Sequence, residues 1–249
     1  MNSTLLSGLP FQGQGGDQLV SRVVSAAIAA LFRKSEHIDA QVRAEPVTKL
    51  LQGSIDGFDL IAQGLQMYNG LRIAGLELFS QAVSIDFSEI FRGRVKLRQP
   101  TQSRMRVVLT EDDLSTSFNT PFVMRQMQKL QINGQPLELR NVTVSISNEG
   151  RLRIQSEVKG GDDWQPMDFS TVVEVKDRHC IRFEEVIYDE SVADHRMAEA
   201  LVEHVNRILD LDTFSLDGTQ LRIDQVRVRD QKVVFYGSAR IDQFPRRNG

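Results

Sequence analysis

The residue types most often found in metal and nucleophilic sites are sparse in this chain: four histidines and one cysteine. The histidines His37, His179, His195 and His204 lack the spacing of a zinc-binding motif. Cys180 directly follows His179, and because neighbours on a strand point to opposite faces, the pair indicates no shared metal. His204 falls on the apolar stripe of a predicted helix, which is typical of a histidine at the edge of a core. The sequence therefore predicts no metal site and no cofactor.

Motifs of nucleophilic and acid–base catalysis are also missing. No G-x-S-x-G occurs, and nothing favours a catalytic pairing of the cysteine with a histidine, although the sequence leaves that pairing open. The acidic pairs Asp112-Asp113 and Asp162-Asp163 fall in a helix start and a turn, where capping and solvation explain them. The glycines of residues 13–16 lack the preceding strand and the lysine of a phosphate-binding loop. We therefore predict no catalytic residues and no enzymatic activity.

A row of cations is the strongest candidate for binding a charged partner. The alternation between residues 91 and 109 puts six of them on one face of a predicted sheet: Arg92, Arg94, Lys96, Arg98, Arg104 and Arg106. Such a row can bind phosphate head groups or an acidic partner. A solvated sheet face is the alternative, because other strands of this chain also carry arginine at outward positions. Aromatic residues are only 7% of the chain and none interleaves with the row, so nucleic acid is not a predicted partner.

The only tryptophan, Trp164, lies between two predicted strands in a segment rich in glycine and aspartate. An indole at a loop tip can enter the interface of a membrane. It can also fold back over the end of the hydrophobic core. The second interpretation is favoured.

Size, charge and composition are those of an ordinary globular protein. The 249 residues are 41% hydrophobic and 25% charged, and the net charge of −3 gives no general attraction to nucleic acid or anionic lipid. A single cysteine cannot form an internal disulfide and suits a reducing compartment. The start of the chain lacks the features of a signal peptide, and no apolar run approaches the roughly 20 residues that span a bilayer. We expect a cytoplasmic protein whose contact with membranes, where there is any, is peripheral.

A layout of an apolar helix followed by alternating strands recurs three times along the chain. The first predicted helix, residues 17–34, is apolar around most of its circumference. The second is predicted as two pieces, 111–118 and 121–130, because the residue before Pro121 avoids the helical conformation. The third, residues 191–211, has the most regular apolar stripe.

Alternating polar and apolar residues predict strands over most of the remaining chain. These are residues 38–44, 57–65, 70–79, 81–87, 91–109, 137–147, 150–158, 168–176, 179–188, 214–217, 219–229 and 232–241. No linker interrupts them, so we expect a flexible segment at 1–16, one domain at 17–245 and a tail at 246–249. The predicted class is α+β, a single elongated domain in which one curved antiparallel sheet wraps around helices lying against its concave face. The hairpins at 137–158 and 219–241 are expected to share that sheet.

Several of these segments together resemble the LmeA-like phospholipid-binding family of bacterial proteins, formerly a domain of unknown function. The resemblance rests on the apolar first helix, the strand ending at Pro46, Leu50-Leu51-Gln52-Gly53, the helix entry at Leu109–Leu114 and the closing hairpin at Phe214–Ile223. It covers about residues 17–245 and implies a sheet rolled around a helix to leave an apolar groove, similar to tubular lipid-binding folds. It also implies a lipid-binding role without catalytic residues.

The predicted function is non-enzymatic binding of a phospholipid or similar lipid, with acyl chains in the groove and head groups at the arginines. The residues predicted to line the groove are Val20, Val24, Ile28, Leu31, Phe118, Phe122, Met197, Leu201 and Ile208. The alternative is a structural or interaction protein whose groove is filled by its own helices and which binds an unknown protein partner. An open cleft between helices and sheet would favour the first hypothesis, and a closed interior the second.

Overall fold

The computed structural model describes residues 21–22, 25–26, 28–44, 49, 52–90, 96–132, 134–160, 163–190, 192, 194–212 and 219–242. The strands are β1 His37–Arg43, β2 Ser54–Ile55, β3 Gly57–Gln66, β4 Arg72–Ser80, β5 Val83–Ser84, β6 Thr101–Thr110, β7 Gln131–Ile132, β8 Gln135–Pro136, β9 Glu138–Ile146, β10 Leu152–Lys159, β11 Gln165–Lys176, β12 Cys180–Tyr188, β13 Thr219–Arg229 and β14 Lys232–Ile241. The helices are α1 Phe87–Ile90, α2 Glu111–Phe118, α3 Pro121–Met127 and α4 His195–Ile208. Residues 21–22, 25–26 and 28–29 are also helical and are called the first helical segment below.

The strands form two principal antiparallel sheets. One has six strands in the order β1-β3-β4-β6-β14-β13, and the other has four in the order β12-β11-β10-β9. The prediction of one continuous sheet is therefore wrong, because the hairpins at 137–158 and 219–241 fall in different sheets. The physical reason is that β6 already has β4 on one side and β14 on the other. With both sides of β6 occupied, β9 cannot pair with it, and the strands that follow α3 form a second sheet.

The division of the second helix is confirmed. Thr110 and Asp113 form a reciprocal capping box at the start of α2, in which the Thr110 hydroxyl accepts from the Asp113 backbone N–H at 3.2 Å. Thr120 then caps α3 by accepting from the Val123 N–H, and Pro121 occupies the first helical position, where a missing N–H costs nothing. The two helices thus have separate beginnings, as the sequence predicts.

The segment before β6 differs from its prediction. Of the strands expected at 81–87 and 91–109, the described residues form only β5 and β6, and β6 starts at Thr101. Asp86 ends the extended conformation because its carboxylate accepts from both the N–H and the hydroxyl of Ser88, at 3.2 and 2.6 Å, at the start of α1. Residues 91–95 lie outside the described part of the chain.

Apolar side chains form two buried clusters. The first, called the N-terminal core, collects Ile28 of the first helical segment and the inward residues of β1 and β3, such as Ala40 and Leu60. The second, called the inter-sheet core, collects side chains from both sheets together with α3 and α4, for example Phe169 of β11 and Phe235 of β14. Val107 of β6 is packed against both clusters. The six-stranded sheet therefore contributes to both cores.

Candidate lipid-binding site

The helix α2 is fixed by polar side chains that cover the edge of the four-stranded sheet. The strand β9 is an edge of that sheet, so its outward N–H groups have no neighbouring strand among the described residues to pair with. Three side chains spaced one helical turn apart accept from these groups: Glu111 from Ile146 at 2.6 Å, Ser115 from Val144 at 2.9 Å and Asn119 from Val142 at 3.1 Å. We call these three side chains the edge stripe of α2. The stripe satisfies backbone donors that would otherwise need water.

The same arrangement recurs at two further sheet edges. In the first helical segment, the hydroxyl of Ser25 accepts from the Ala40 N–H at 3.0 Å and that of Ser21 accepts from Val42 at 3.2 Å. These donors belong to β1, an edge of the six-stranded sheet.

At the edge strand β12, the amide side chain of Asn206 in α4 accepts from the Phe183 N–H at 2.7 Å and donates to its carbonyl at 3.2 Å. The threefold layout read from the sequence thus has a physical role, because each helix covers an edge strand. The sequence signal for a helix that covers a sheet edge is a pair of polar residues four apart, such as Ser21 and Ser25. A prediction based only on the apolar residues of each helix does not use this signal.

The predicted groove residues fall into different parts of the fold. Val20 and Val24 lie outside the described residues. Ile28 is buried in the N-terminal core, and Leu31 near it in the chain is half-buried. Phe122 on α3 is half-buried. The other four belong to the inter-sheet core or pack against it: Phe118, Met197, Leu201 and Ile208. The structure therefore brings residues of α2 and α4 together at the inter-sheet core, and places Ile28 in the N-terminal core.

The predicted groove residues at the inter-sheet core differ in how deeply they are buried. Met197 and Leu201 are 5% and 3% exposed, so the protein's own side chains already surround them. Half-buried apolar side chains on α2, α3, α4 and the turn after α3 pack against the same core and keep part of their surface accessible. We call this set the apolar rim: Phe118, Val123, Met124, Leu130 and Ile208. Sequence periodicity cannot separate the two kinds of position, because both belong to the same apolar stripe.

A buried histidine joins the two helices that carry most of the rim. His204 on α4 is buried, and its Nε2 lies 2.8 Å from the backbone carbonyl oxygen of Gln126 on α3. The imidazole nitrogen donates in this bond, since a carbonyl oxygen can only accept. The histidine at the core edge is therefore confirmed as a packing residue that ties α3 to α4.

The basic row is less continuous than its alternation predicts. Arg92 and Arg94 lie outside the described residues, and Lys96 and Arg98 lie in the exposed segment that precedes β6. The guanidinium of Arg98 donates to the backbone oxygen of Gln52 at 3.0 Å. The described members of the row thus divide between this segment and β6 itself.

The two β6 arginines, Arg104 and Arg106, lie on the outer face of the six-stranded sheet. They alternate with Met105 and Val107, which point into the cores. Arg106 donates to the Glu77 carboxylate at 2.6 Å. Among the residues that the structure describes, Arg104 has no hydrogen bond or ion pair. Since the two arginines and the cores are on opposite faces, these arginines cannot contact the head group of a lipid whose chain lies in a core.

An open pocket of about 700 Å³ lies on this outer face. Its lining includes Arg104, Phe79, Ser238 and the ion pair between Arg43 and Asp59. Phe79 is 40% exposed, as is Ile61 on the neighbouring strand β3. A guanidinium that has no partner within the described part of the chain, beside the exposed ring of Phe79, suits a partner that presents anionic and apolar groups together, as lipid head-group regions do.

The only tryptophan is covered by an arginine. The guanidinium carbon of Arg140 on β9 lies 4.0 Å from the centre of a Trp164 ring, and the indole is half-buried. This contact agrees with the favoured interpretation, in which the indole folds back onto the protein.

One part of the histidine analysis is wrong. His179 lies in the turn between β11 and β12, and β12 begins only at Cys180, so the alternation of strand side chains does not separate them. The Nδ1 atom of His179 is 3.3 Å from the sulfur of Cys180 and 2.8 Å from a carboxylate oxygen of Asp210. These side chains form a cluster that the sequence did not predict.

Fold and site together define an antiparallel α+β protein with an apolar rim beside a core shared by two sheets. Residues 11–238 match the family described as LmeA-like phospholipid-binding, and the chain belongs to that family. No curated protein and no solved structure gave a significant match. Within the described residues, none of the helices has the length and hydropathy needed to cross a bilayer.

Proposed function

We propose that this chain binds a phospholipid or a similar lipid without changing it chemically, and that residues 17–245 act as one lipid-binding domain. The match of residues 11–238 to a phospholipid-binding family carries the proposal. The apolar rim supports it, because half-buried apolar side chains still lose water contact when an acyl chain covers them. Each methylene buried there contributes about 0.8 kcal/mol.

The acyl chain is assigned to the rim rather than to the whole set of predicted groove residues. Phe118 and Ile208 remain candidates because they are half-buried, whereas Met197 and Leu201 serve the internal packing. The burial of Met197 and Leu201 is also the observation that favours the alternative function. In that alternative, the helices fill the groove themselves and the surface binds a protein.

A second contact, with an anionic membrane surface, is assigned to the outer face of the six-stranded sheet. Arg104 supplies a positive charge that has no hydrogen-bond or ion-pair partner among the described residues, Phe79 lies beside it, and Ile61 adds exposed apolar surface on the same sheet. Cations near the surface of an anionic leaflet each contribute about 1 kcal/mol to membrane attraction. The acyl site and this face lie on opposite sides of β6, so the two contacts are separately testable.

The acyl site is tested by mass spectrometry of the organic extract of purified protein. Val123→Trp places an indole on the rim and should reduce co-purified phospholipid at least several-fold. Arg125→Trp makes the same addition at an exposed position of the same helix and should leave the lipid content unchanged.

Thermal unfolding of both variants separates blocked binding from a damaged core. An overpacked core position costs about 1–3 kcal/mol, so a strongly destabilised Val123→Trp variant would indicate that Val123 is core rather than rim. Lipid-free wild-type protein, together with failure to take up added phospholipid, would contradict lipid binding and favour the interaction protein.

The membrane contact is tested by flotation with vesicles of neutral lipid alone and with anionic lipid added. Binding should increase with anionic content and weaken with salt, since exposed charges are screened over about 10 Å at 0.1 M. Arg104→Gln should weaken binding to anionic vesicles more than Arg125→Gln, which removes one exposed charge elsewhere. Replacing Arg92, Arg94, Lys96 and Arg98 together with Gln tests the remaining members of the row. Equal binding by all variants would assign these cations to a solvated sheet face.

A further inference from the structure

We infer that His179, Cys180 and Asp210 form a binding site for a late first-row divalent metal ion, of which Zn²⁺ is the test case. One ligand atom from each residue lies within 4.8 Å of the other two. The His179 Nδ1 atom is 3.3 Å from the Cys180 sulfur and 2.8 Å from the Asp210 Oδ1. The cluster belongs to neither lipid contact proposed above, so it stands apart from that function.

These distances are close to those that a metal requires. Zinc bonds of about 2.0–2.3 Å in tetrahedral geometry place neighbouring ligand atoms roughly 3.3–3.8 Å apart. The three donors therefore reach that geometry through side-chain shifts of about an ångström or less. An imidazole nitrogen, a thiolate and a carboxylate are the mixed ligand set that zinc accepts, whereas calcium and magnesium prefer oxygen alone. Metal binding would release to solvent the proton that His179 Nδ1 donates to Asp210 and the proton of the Cys180 thiol.

The backbone holds the ligands together without a metal. The residues on either side of the cluster are joined by hydrogen bonds from the Leu211 N–H to the His179 carbonyl at 2.9 Å and from the Ile181 N–H to the Leu209 carbonyl at 3.0 Å. Cys180 and Asp210 also form an isolated antiparallel bridge. The turn before β12 and the segment after α4 are thus in register, so little conformational freedom remains to be lost on metal binding.

The nearby charges are compatible with a cation. Asp210 brings a carboxylate to the cluster, and its Oδ1 also accepts from the Asp212 backbone N–H at 2.9 Å. The arginines around the cluster already have partners: Arg178 pairs with Asp224, Arg182 donates to the Asn206 carbonyl and Arg222 donates to Asp212. Asp224 and Asp212 therefore partly compensate the charges of Arg178 and Arg222.

The fourth position is assigned to water. A carboxylate oxygen of Asp212 lies 3.7 Å from the His179 Nδ1, close enough to approach an ion. Arg222, however, donates to both oxygens of that carboxylate, at 2.7 and 3.4 Å, so Asp212 is engaged by an arginine and lies beside the site. Three protein ligands and one water is a coordination that zinc sites adopt.

Metal binding at this place would connect the ends of several elements. The Ile223 N–H of β13 donates to the Arg178 carbonyl at 2.6 Å, so the turn that carries His179 also contacts the six-stranded sheet. An ion would fix that turn to the end of α4 and thereby strengthen the junction between the two sheets. We therefore expect the ion to raise the unfolding temperature, because it binds the folded ligand set.

The first experiment titrates reduced, chelator-treated wild-type protein with Zn²⁺ and with Co²⁺. One ion should bind per chain, the unfolding temperature should rise, and Co²⁺ should give the charge-transfer absorption of a thiolate ligand. This measurement does not depend on any variant folding correctly. Absence of binding by either ion would overturn the inference and leave a hydrogen-bonded His–Asp pair beside a buried thiol.

The second experiment identifies the ligands. Cys180→Ser should remove the thiolate absorption, and His179→Gln and Asp210→Asn should each weaken affinity by about tenfold or more. His37→Gln, at an exposed histidine of β1, should bind as the wild type does. Circular dichroism checks the fold of each variant. A thiolate band that survives in Cys180→Ser, or an equal loss in His37→Gln, would assign the ion to another place and overturn the site.

Discussion

Removing one hydroxyl from the edge stripe of α2 should destabilise the protein measurably. The Ser115 hydroxyl accepts from the Val144 N–H at 2.9 Å and donates to the Glu111 carbonyl at 2.7 Å. Val144 belongs to a sheet edge, where no other described strand offers an acceptor, and its side chain is buried. Ser115→Ala therefore leaves this backbone donor without its partner while the helix and the strand remain in place.

The expected loss follows from two opposing contributions. A donor left unsatisfied in a partly buried position costs about 1–3 kcal/mol. Alanine has the higher helix propensity, by roughly 0.5 kcal/mol, which offsets part of that cost. We therefore expect Ser115→Ala to lower the free energy of unfolding by about 1–2 kcal/mol.

Two substitutions serve as controls for this prediction. Ser115→Thr keeps a hydroxyl and should recover most of the loss. Ser145→Ala makes the same chemical change at an exposed position of β9 and should stay within about 0.5 kcal/mol of the wild type.

Urea denaturation measures the stability, and amide hydrogen exchange locates its cause. The Val144 amide should exchange faster in Ser115→Ala than in the wild type, with smaller effects on the buried strands β10 and β11. An unchanged denaturation midpoint, or unchanged protection of Val144, would refute the view that the helix stabilises the sheet edge through this hydroxyl. Equal losses in Ser115→Ala and Ser145→Ala would refute it as well.

Two further predictions concern charged contacts on the four-stranded sheet. Arg153 donates two hydrogen bonds to the buried Asp168 carboxylate and lowers the pKa of Asp168. This pair should therefore stabilise the fold fully above the ordinary carboxyl pKa of about 4, and the stabilisation should be lost as the pH falls through the lowered pKa. Urea titrations should therefore show a deficit for Asp168→Asn at neutral pH that shrinks in acid, and a pH-independent deficit would contradict the linkage. Arg140→Ala should expose the ring of Trp164 to water. Because Trp164 is the only tryptophan, the protein's tryptophan fluorescence should shift to the red and be quenched more readily. An unchanged spectrum would show that the arginine does not shield the ring.

Local patterns predicted much of the secondary structure. The division between α2 and α3 followed from Pro121 alone, because proline restricts the residue before it and suits the start of a helix. The hairpin of β13 and β14 was likewise readable from alternation on both sides of a polar turn. Such features depend on neighbours in the chain, so a single sequence contains the information they require.

The assembly of strands into two sheets was not readable in the same way. Whether β9 joins β6 depends on β14, which follows β6 by more than a hundred residues and occupies its free side. Alternation states which face of a strand is apolar but not which strand lies beside it. The cluster around His179 escaped prediction for a related reason, since Asp210 reaches it only through long-range pairing of two segments.

The position of the proposed lipid contact follows from the edge stripe. Glu111, Ser115 and Asn119 recur at four-residue intervals, so their contact with β9 fixes the rotation of α2 about its own axis. That rotation turns Phe118, one residue before Asn119, toward the inter-sheet core without burying it fully. A helix held at a sheet edge can bury its apolar face on one side only, so the apolar side chains nearest solvent stay half-exposed. The polar contacts that secure the sheet edge are thus also the contacts that leave apolar surface exposed where the acyl chain is proposed to bind.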